Sequence, residues 1–122
     1  MRQFLLFILV LVTVSCSRSD CKILRNGKFT YGGNLKDVVT VTFTGDKQRE
    51  QHENGKYFID SDVHWTNDCE YITIIKDFNL PGFPHSPGDT LKVKIDKVDG
   101  NVVRYSATIK DTGWSGLMTK VE

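Results

Sequence analysis

The sequence lacks the features that mark nucleic-acid-binding proteins and helical proteins. Its formal net charge is +1, and it has no basic stripe with interleaved aromatic residues, so a phosphate backbone finds no electrostatic partner. No stretch of useful length repeats apolar residues at helical spacing. Proline occurs three times, always within residues 77–89. The 122 residues suffice for one domain, and nucleic acid is not an expected partner.

Motifs for catalysis and metal binding are also missing. Ser115 lies in Gly-Trp-Ser-Gly, which lacks the spacing of a nucleophile elbow. Asp60, Asp62 and His64 alternate along one predicted strand, but alternate residues lie about 6 to 7 Å apart, which is wide for three ligands of one metal ion. They are weak candidates for a metal or acid–base cluster, and a solvent-facing polar stripe is preferred. We expect no enzyme activity, metal or cofactor, with a hydrolase as a distant alternative.

One long apolar run is present, at the N-terminus. Arg2 precedes the run Phe4–Val14, which is too short to span a membrane stably and is followed by small polar residues. This pattern predicts that residues 1–16 are a secretory signal outside the folded domain. A buried N-terminal helix is the alternative, disfavoured because the run has no polar face. Removing residues 1–16 leaves 15 basic and 15 acidic residues, so the remaining chain is neutral.

The signal ends in Val-Thr-Val-Ser-Cys, which resembles a bacterial lipobox. In a lipobox, small and aliphatic residues precede a cysteine that is acylated and becomes the mature N-terminus. Thr13 stands where leucine is usual, which makes this a loose lipobox of the kind tolerated in Bacteroidetes. Cys16 is therefore the predicted lipid attachment site, and the expected location is the cell envelope, anchored to the outer membrane. Cleavage near Ser15 or Ser17 is the alternative, and gives a soluble secreted or periplasmic protein.

Two cysteines remain if Cys16 carries lipid. Cys21 and Cys69 are an even pair in an exported small domain, which predicts a disulfide. Two unpaired thiols are the alternative. A zinc site would need nearby His or Cys residues at ligand spacing, and these are missing.

The rest of the chain alternates between β-rich runs and tight turns. Residues 37–44 and 90–96 alternate apolar with polar residues, and Asn54-Gly55 and Asp99-Gly100 are typical of hairpin turns. We predict an all-β fold, a small antiparallel meander of about eight strands that closes or nearly closes into a barrel. A β-sandwich is the alternative. Residues 17–26 are predicted to be a tether, and residues 27–122 the single barrel domain.

The same alternation predicts which residues face the interior. Leu91, Val93 and Ile95 are predicted to point inward. The segment Lys47–Glu53 has hairpin signals on both sides and is predicted to be an exposed polar strand, with His52 on the surface. The bulky side chains expected to fill the core are Tyr57, Ile59, Trp65, Ile72, Ile74 and Leu117.

Residues 77–89 form the longest irregular connection, and loops of this length in compact domains are often functional. We regard Phe78, Leu80, Phe83 and His85 as a possible partner-binding or ligand-binding loop. An exposed apolar patch here would suit a protein partner or a ligand at the mouth of a barrel. The alternative is that these residues plug one end of the barrel.

Several blocks resemble a group of small exported Bacteroidetes lipoproteins whose function is not established. The most specific is the Trp-x-x-Asp-Cys-x-Tyr block over residues 65–71, and the resemblance covers most of the chain after the signal. It implies a lipid-anchored envelope protein. A weaker resemblance is to lipocalin-type barrels, in which a basic residue of the last strand packs over an aromatic ring of the first. Gly27-x-Phe29 and Lys120 would make the corresponding contacts.

These observations predict a lipid-anchored cell-envelope protein that acts as a non-enzymatic binding or interaction module. Its expected partners are the membrane, through the N-terminal lipid, and an envelope protein. The alternative is a lipocalin-like carrier of a small apolar ligand. The two interpretations differ in the volume of the interior, because a filled core favours binding at the surface and an open cavity favours a carrier.

Overall fold

The structure is a computed structural model that describes residues 19–31 and 38–122. The predicted signal peptide and Cys16 lie outside the described residues. A short 3-10 helix spans Ser19–Arg25, and a second one spans Glu53–Gly55. The strands are β1 (Asn26–Tyr31), β2 (Val39–Thr44), β3 (Lys47–His52), β4 (Tyr57–Asn67), β5 (Glu70–Phe78), β6 (Thr90–Asp99), β7 (Val102–Ile109) and β8 (Thr112–Lys120).

The eight strands form a closed antiparallel barrel in which each strand pairs with its neighbours in the sequence. Closure is made by β1 and β8, where Phe29 pairs with Lys120 and Thr30 pairs with Thr119. Because the ring is closed, the described sheet presents no unpaired edge strand. The predicted all-β barrel is confirmed, and the sandwich alternative is excluded.

Two strands carry the alternation that the sequence predicted. Val41 and Phe43 of β2 are buried, and the threonines between them face outward. Val93 and Ile95 of β6 are buried in the same way, with lysines on the outer face. Period-two alternation places one set of side chains in the core and the other in water.

The N-terminal 3-10 helix covers one end of the barrel. Leu24 is fully buried, and a disulfide joins Cys21 to Cys69 in the turn between β4 and β5, with 5.1 Å between their Cα atoms. The guanidinium of Arg25 lies 4.7 Å from the ring centre of Trp65 and 3.6 Å from a carboxylate oxygen of Asp68. The segment from Ser19 onward is thus part of the domain and not a tether, since its apolar side chains complete the core.

The C-terminal end of the chain passes close to β1 at Gly27. Gly27 has a φ of +145°, and a Cβ there would lie 2.9 Å from the carbonyl oxygen of Glu122 and 3.2 Å from Cε of Lys120. The aliphatic part of Lys120 therefore packs closely over β1 at Gly27. Phe29 is fully buried, and in the described part of the chain its ring makes no cation–π contact with Lys120.

The inward face of β5 differs from the prediction. Tyr71, Thr73 and Ile75 are buried and point inward, whereas Ile72 and Ile74 are only partly buried on the other face. The predicted phase was wrong because β5 is apolar on both faces, so alternation alone could not assign it. Pairing with β4 decides the phase, since Tyr71 pairs with Trp65 and Thr73 with Val63.

The predicted inward face of β8 is also wrong. Leu117 was predicted to fill the core, but it is 46% exposed, and the neighbouring Met118 is buried instead. Ile59 is buried as predicted, and Trp65 packs on Tyr71 with 4.7 Å between ring centres. Three of the large side chains expected in the core, Ile72, Ile74 and Leu117, therefore lie on the outer face of the barrel.

The disulfide is expected to stabilise the fold substantially. It joins residues 48 apart in the sequence, and a bridge of this length stabilises by about 3 to 4 kcal/mol through the entropy of the unfolded chain. Replacing both cysteines, Cys21→Ser with Cys69→Ser, should lower the urea midpoint accordingly. Reductant should lower the midpoint of the unaltered protein and leave that of the double variant unchanged. Equal midpoints for the two proteins under oxidising conditions would contradict this assignment.

Candidate functional site: a cavity inside the barrel

A cavity of about 410 Å³ occupies the barrel interior. It reaches the end opposite the N-terminal helix, where Leu80, Phe83 and His85 from the β5–β6 connection contribute to its lining. Small-molecule sites usually have volumes of about 300 to 1,000 Å³. The bulky residues in the sequence favoured a filled core, whereas the interior is open.

Small inward residues explain why the interior is open. Ser61 of β4, Thr73 of β5 and Ala107 of β7 all line the cavity and are buried. An eight-stranded barrel is just wide enough for its inward side chains to fill it. Small side chains on three strands consequently leave a space that their neighbours do not occupy.

Aromatic side chains form much of the wall. Phe43 and Tyr71 line the cavity and meet edge to face, with 5.9 Å between ring centres. Tyr105 lies across Gly116, where a Cβ would come within 2.6 Å of the phenol oxygen. Burial raises the pKa of Tyr105, and this effect outweighs a hydrogen bond from the Trp114 indole, which favours the ionised form. Burial also raises the pKa of Tyr71, so both tyrosines are neutral at physiological pH.

One part of the cavity wall is polar, and it comes from β3. Gln48, Glu50 and His52 line the cavity, whereas Lys47 and Arg49 are exposed on the outer face. The interpretation of β3 as an exposed strand, with His52 on the surface, is thus wrong for its inner face. β3 contains no apolar residue, so its sequence gave no sign of which face would turn inward.

Glu50 and His52 form an ion pair inside this wall. Oε1 of Glu50 lies 3.7 Å from Nε2 of His52, and the two side chains are 17% and 24% exposed. The imidazole Nε2 is buried and has no hydrogen-bond partner among the described residues. The Glu50 carboxylate stabilises the imidazolium more than burial disfavours it, so the pKa of His52 is raised. The pair can therefore accept or donate a hydrogen bond to a molecule in the cavity.

The weak metal candidates lie on the outside of the barrel. Asp60 accepts two hydrogen bonds of 2.7 Å from Arg49, and Asp62 pairs with Lys47 and Lys76. The hydrogen bond from Lys47 is the largest cause that lowers the pKa of Asp62. His64 is exposed, and no group of three metal-ligating side chains occurs within residues 19–31 and 38–122. The carboxylates thus have lysine and arginine partners.

The β5–β6 connection packs onto the barrel rather than standing out from it. Phe78, Leu80 and Phe83 pack against a cluster of buried isoleucines, and the rings of Phe78 and Phe83 lie 4.8 Å apart. Leu80, Phe83 and His85 also line the cavity, while Phe78 does not. Most of the predicted loop residues therefore lie at the barrel mouth, where they cover part of the opening.

Asp89 holds the end of this connection in place. Its carboxylate accepts a hydrogen bond from the backbone N–H of Ser86 and lies 3.4 Å from the ammonium of Lys110 in the β7–β8 turn. The Ser86 hydrogen bond is the main cause that lowers the pKa of Asp89. Nδ1 of His85 is 3.9 Å from the same carboxylate. These contacts fix the connection against the neighbouring turn.

Comparison with family models, with curated proteins and with solved structures finds no significant match to this chain. The functional argument therefore depends on the geometry and chemistry of the cavity itself. Across residues 19–31 and 38–122, no helix is both long enough and apolar enough to cross a membrane.

The ion pair in the cavity makes stability depend on pH. The raised pKa of His52 means that its stabilising effect is fully present below the ordinary histidine value of 6.5 and is lost as the pH rises through the raised value. Glu50→Gln should lower the pKa of His52, measured by NMR titration of the imidazole. Glu70→Gln, at the opposite end of the barrel, is the matched control and should leave the titration unchanged. An unaltered His52 titration in Glu50→Gln would show that the pair does not form.

Proposed function

We propose that the protein binds a small, largely apolar molecule inside the barrel and acts as a carrier. The observation that supports this is the cavity of about 410 Å³ with mainly apolar and aromatic walls. A few polar groups, on β3 and at the mouth, interrupt these walls. Ligand sites usually combine an apolar lining with a small number of placed polar groups that orient the ligand.

The cavity also changes the order of the two interpretations drawn from the sequence. A partner-binding surface was favoured if the core was filled and if the loop formed an exposed apolar patch. The interior is open, and the apolar loop residues pack on the barrel. Both observations favour the carrier over the interaction module.

The proposal is for binding without catalysis. Cys69, the cysteine nearest the centre of the sequence, is joined to Cys21 and is not available as a nucleophile. The acidic side chains of the outer β4 face are paired with basic residues. A carrier needs neither a nucleophile nor a metal, because its work is done by the shape and polarity of its cavity.

The predicted lipid anchor would set the orientation of this carrier at the membrane. Cys21 is fixed at the closed end of the barrel by its disulfide, and the five residue steps from Cys16 span at most about 18 Å. We propose that acylated Cys16 holds the closed end near the membrane, so that the mouth faces the aqueous side. The ligand would then be exchanged with the aqueous phase or with a soluble partner.

Acylation of Cys16 can be tested directly in a bacterial host that processes lipoproteins. The unaltered protein should incorporate labelled fatty acid and partition into the detergent phase, because an acyl anchor adds about 0.8 kcal/mol per buried methylene. Cys16→Ser should abolish both, while Cys21→Ser with Cys69→Ser should retain the label. A labelled Cys16→Ser variant, or an unlabelled parent, would contradict the anchor.

Binding in the cavity can be tested with a neutral fluorescent probe, N-phenylnaphthylamine, whose emission rises in apolar surroundings. The purified protein should enhance its emission saturably. Ala107→Leu adds bulk to the cavity wall and should weaken binding about tenfold, a loss of about 1.4 kcal/mol. Thr108→Leu, the next residue on the outer face of β7, is the matched control and should bind normally. Absence of saturable binding, or equal binding by both variants, would refute a ligand site in the barrel.

A further inference from the structure

The charge inside the barrel limits what kind of ligand it can hold. Among the described residues that line the cavity, Glu50 is the one carboxylate, and none is a lysine or an arginine. Lys47 and Arg49, on the same strand as Glu50, lie on the outer face and pair with aspartates of β4. A ligand in the cavity therefore meets an anion without a permanent cation beside it.

Glu50 lies in an environment that strengthens its electrostatic effect. Its neighbours in strand pairing are Val41 on β2 and Ile59 on β4, and both are buried apolar residues. Charges interact more strongly where apolar groups exclude water. Burial is the main cause that raises the pKa of Tyr105, and the negative charge of Glu50 adds to it.

The groups around Glu50 suit a positively charged partner. His52, at 3.7 Å, is the nearest group that can carry positive charge, and its proton is reversible. The aromatic rings of Phe43, Tyr71 and Tyr105 line the same space, and the faces of such rings attract cations. An ammonium group could therefore contact both the carboxylate and the aromatic wall.

We propose that the cavity selects an amphiphilic amine, whose ammonium group pairs with Glu50 while its apolar part fills the barrel. This inference depends on the proposed carrier function and specifies its ligand class. A fatty acid is disfavoured, because its carboxylate would enter beside Glu50 and would find no lysine or arginine. A neutral alcohol with the same alkyl chain as the amine makes the apolar contacts but forms no ion pair with Glu50.

The proposal can be tested with three ligands that share an octyl chain, namely octylamine, octanol and octanoate. Each is titrated against protein loaded with N-phenylnaphthylamine, at a pH above the His52 titration found by NMR and below that of the alkylammonium, so that the imidazole is neutral and the amine is charged. We expect octylamine to displace the probe about tenfold more tightly than octanol, with octanoate the weakest. Each tenfold step corresponds to about 1.4 kcal/mol.

Variants of Glu50 then identify the group responsible. Glu50→Gln should reduce octylamine affinity to that of octanol and leave octanol affinity within about twofold. Glu50→Asp keeps the charge and should keep the preference for the amine, and Glu70→Gln is the matched control outside the cavity. If Glu50→Gln does not fold, as judged by circular dichroism, the ranking of the three ligands in the unaltered protein still decides the proposal.

The outcomes separate this proposal from the carrier function. Octanoate binding as tightly as octylamine, retention of the amine preference in Glu50→Gln, or failure of octylamine to displace bound probe would overturn the amine assignment and leave the carrier intact. Failure of the probe itself to bind would instead overturn the carrier function, and the amine assignment with it.

Discussion

Closure of the eight-stranded sheet is the constraint on which the other features depend. Once β8 pairs with β1, each strand has one face inside the barrel and one face outside. A shift of the strand register by one residue would move every side chain of that strand to the opposite face. Register between neighbouring strands therefore decides the contents of the interior. In this barrel it directs Ser61, Thr73 and Ala107 inward, and their small size leaves a space.

Closure also forces an unusual strand to contribute to the core. β3 consists of polar and charged residues, yet one face must turn inward, and that face carries Gln48, Glu50 and His52. Burying an unpaired charge is costly, and pairing reduces the cost. Glu50 and His52 offset each other at 3.7 Å, while Lys47 and Arg49 are paired with aspartates outside. A carboxylate that is turned inward at a cost in stability is a candidate for ligand recognition.

The two ends of the barrel have different construction. At one end the 3-10 helix, the disulfide and the contact of Arg25 with Trp65 close the interior. At the other end the β5–β6 connection covers the opening in part, held by Asp89 and Lys110. The disulfide fixes the N-terminal helix at the closed end, and the mouth of the cavity lies at the opposite end of the barrel.

The sequence by itself determined the all-β class, the approximate strands, the inward faces of β2 and β6, and the pairing of Cys21 with Cys69. Those features follow from local alternation, turn residues and cysteine number. Only the tertiary structure decided the phase of β5, which is apolar on both faces, and that of β3, which is polar on both. Neither strand carries a local signal for its inner side, because pairing with neighbouring strands sets it. The cavity and its Glu50–His52 pair depend on the phase of those two strands. The candidate site therefore could not be predicted from the sequence and is identified only in the folded barrel.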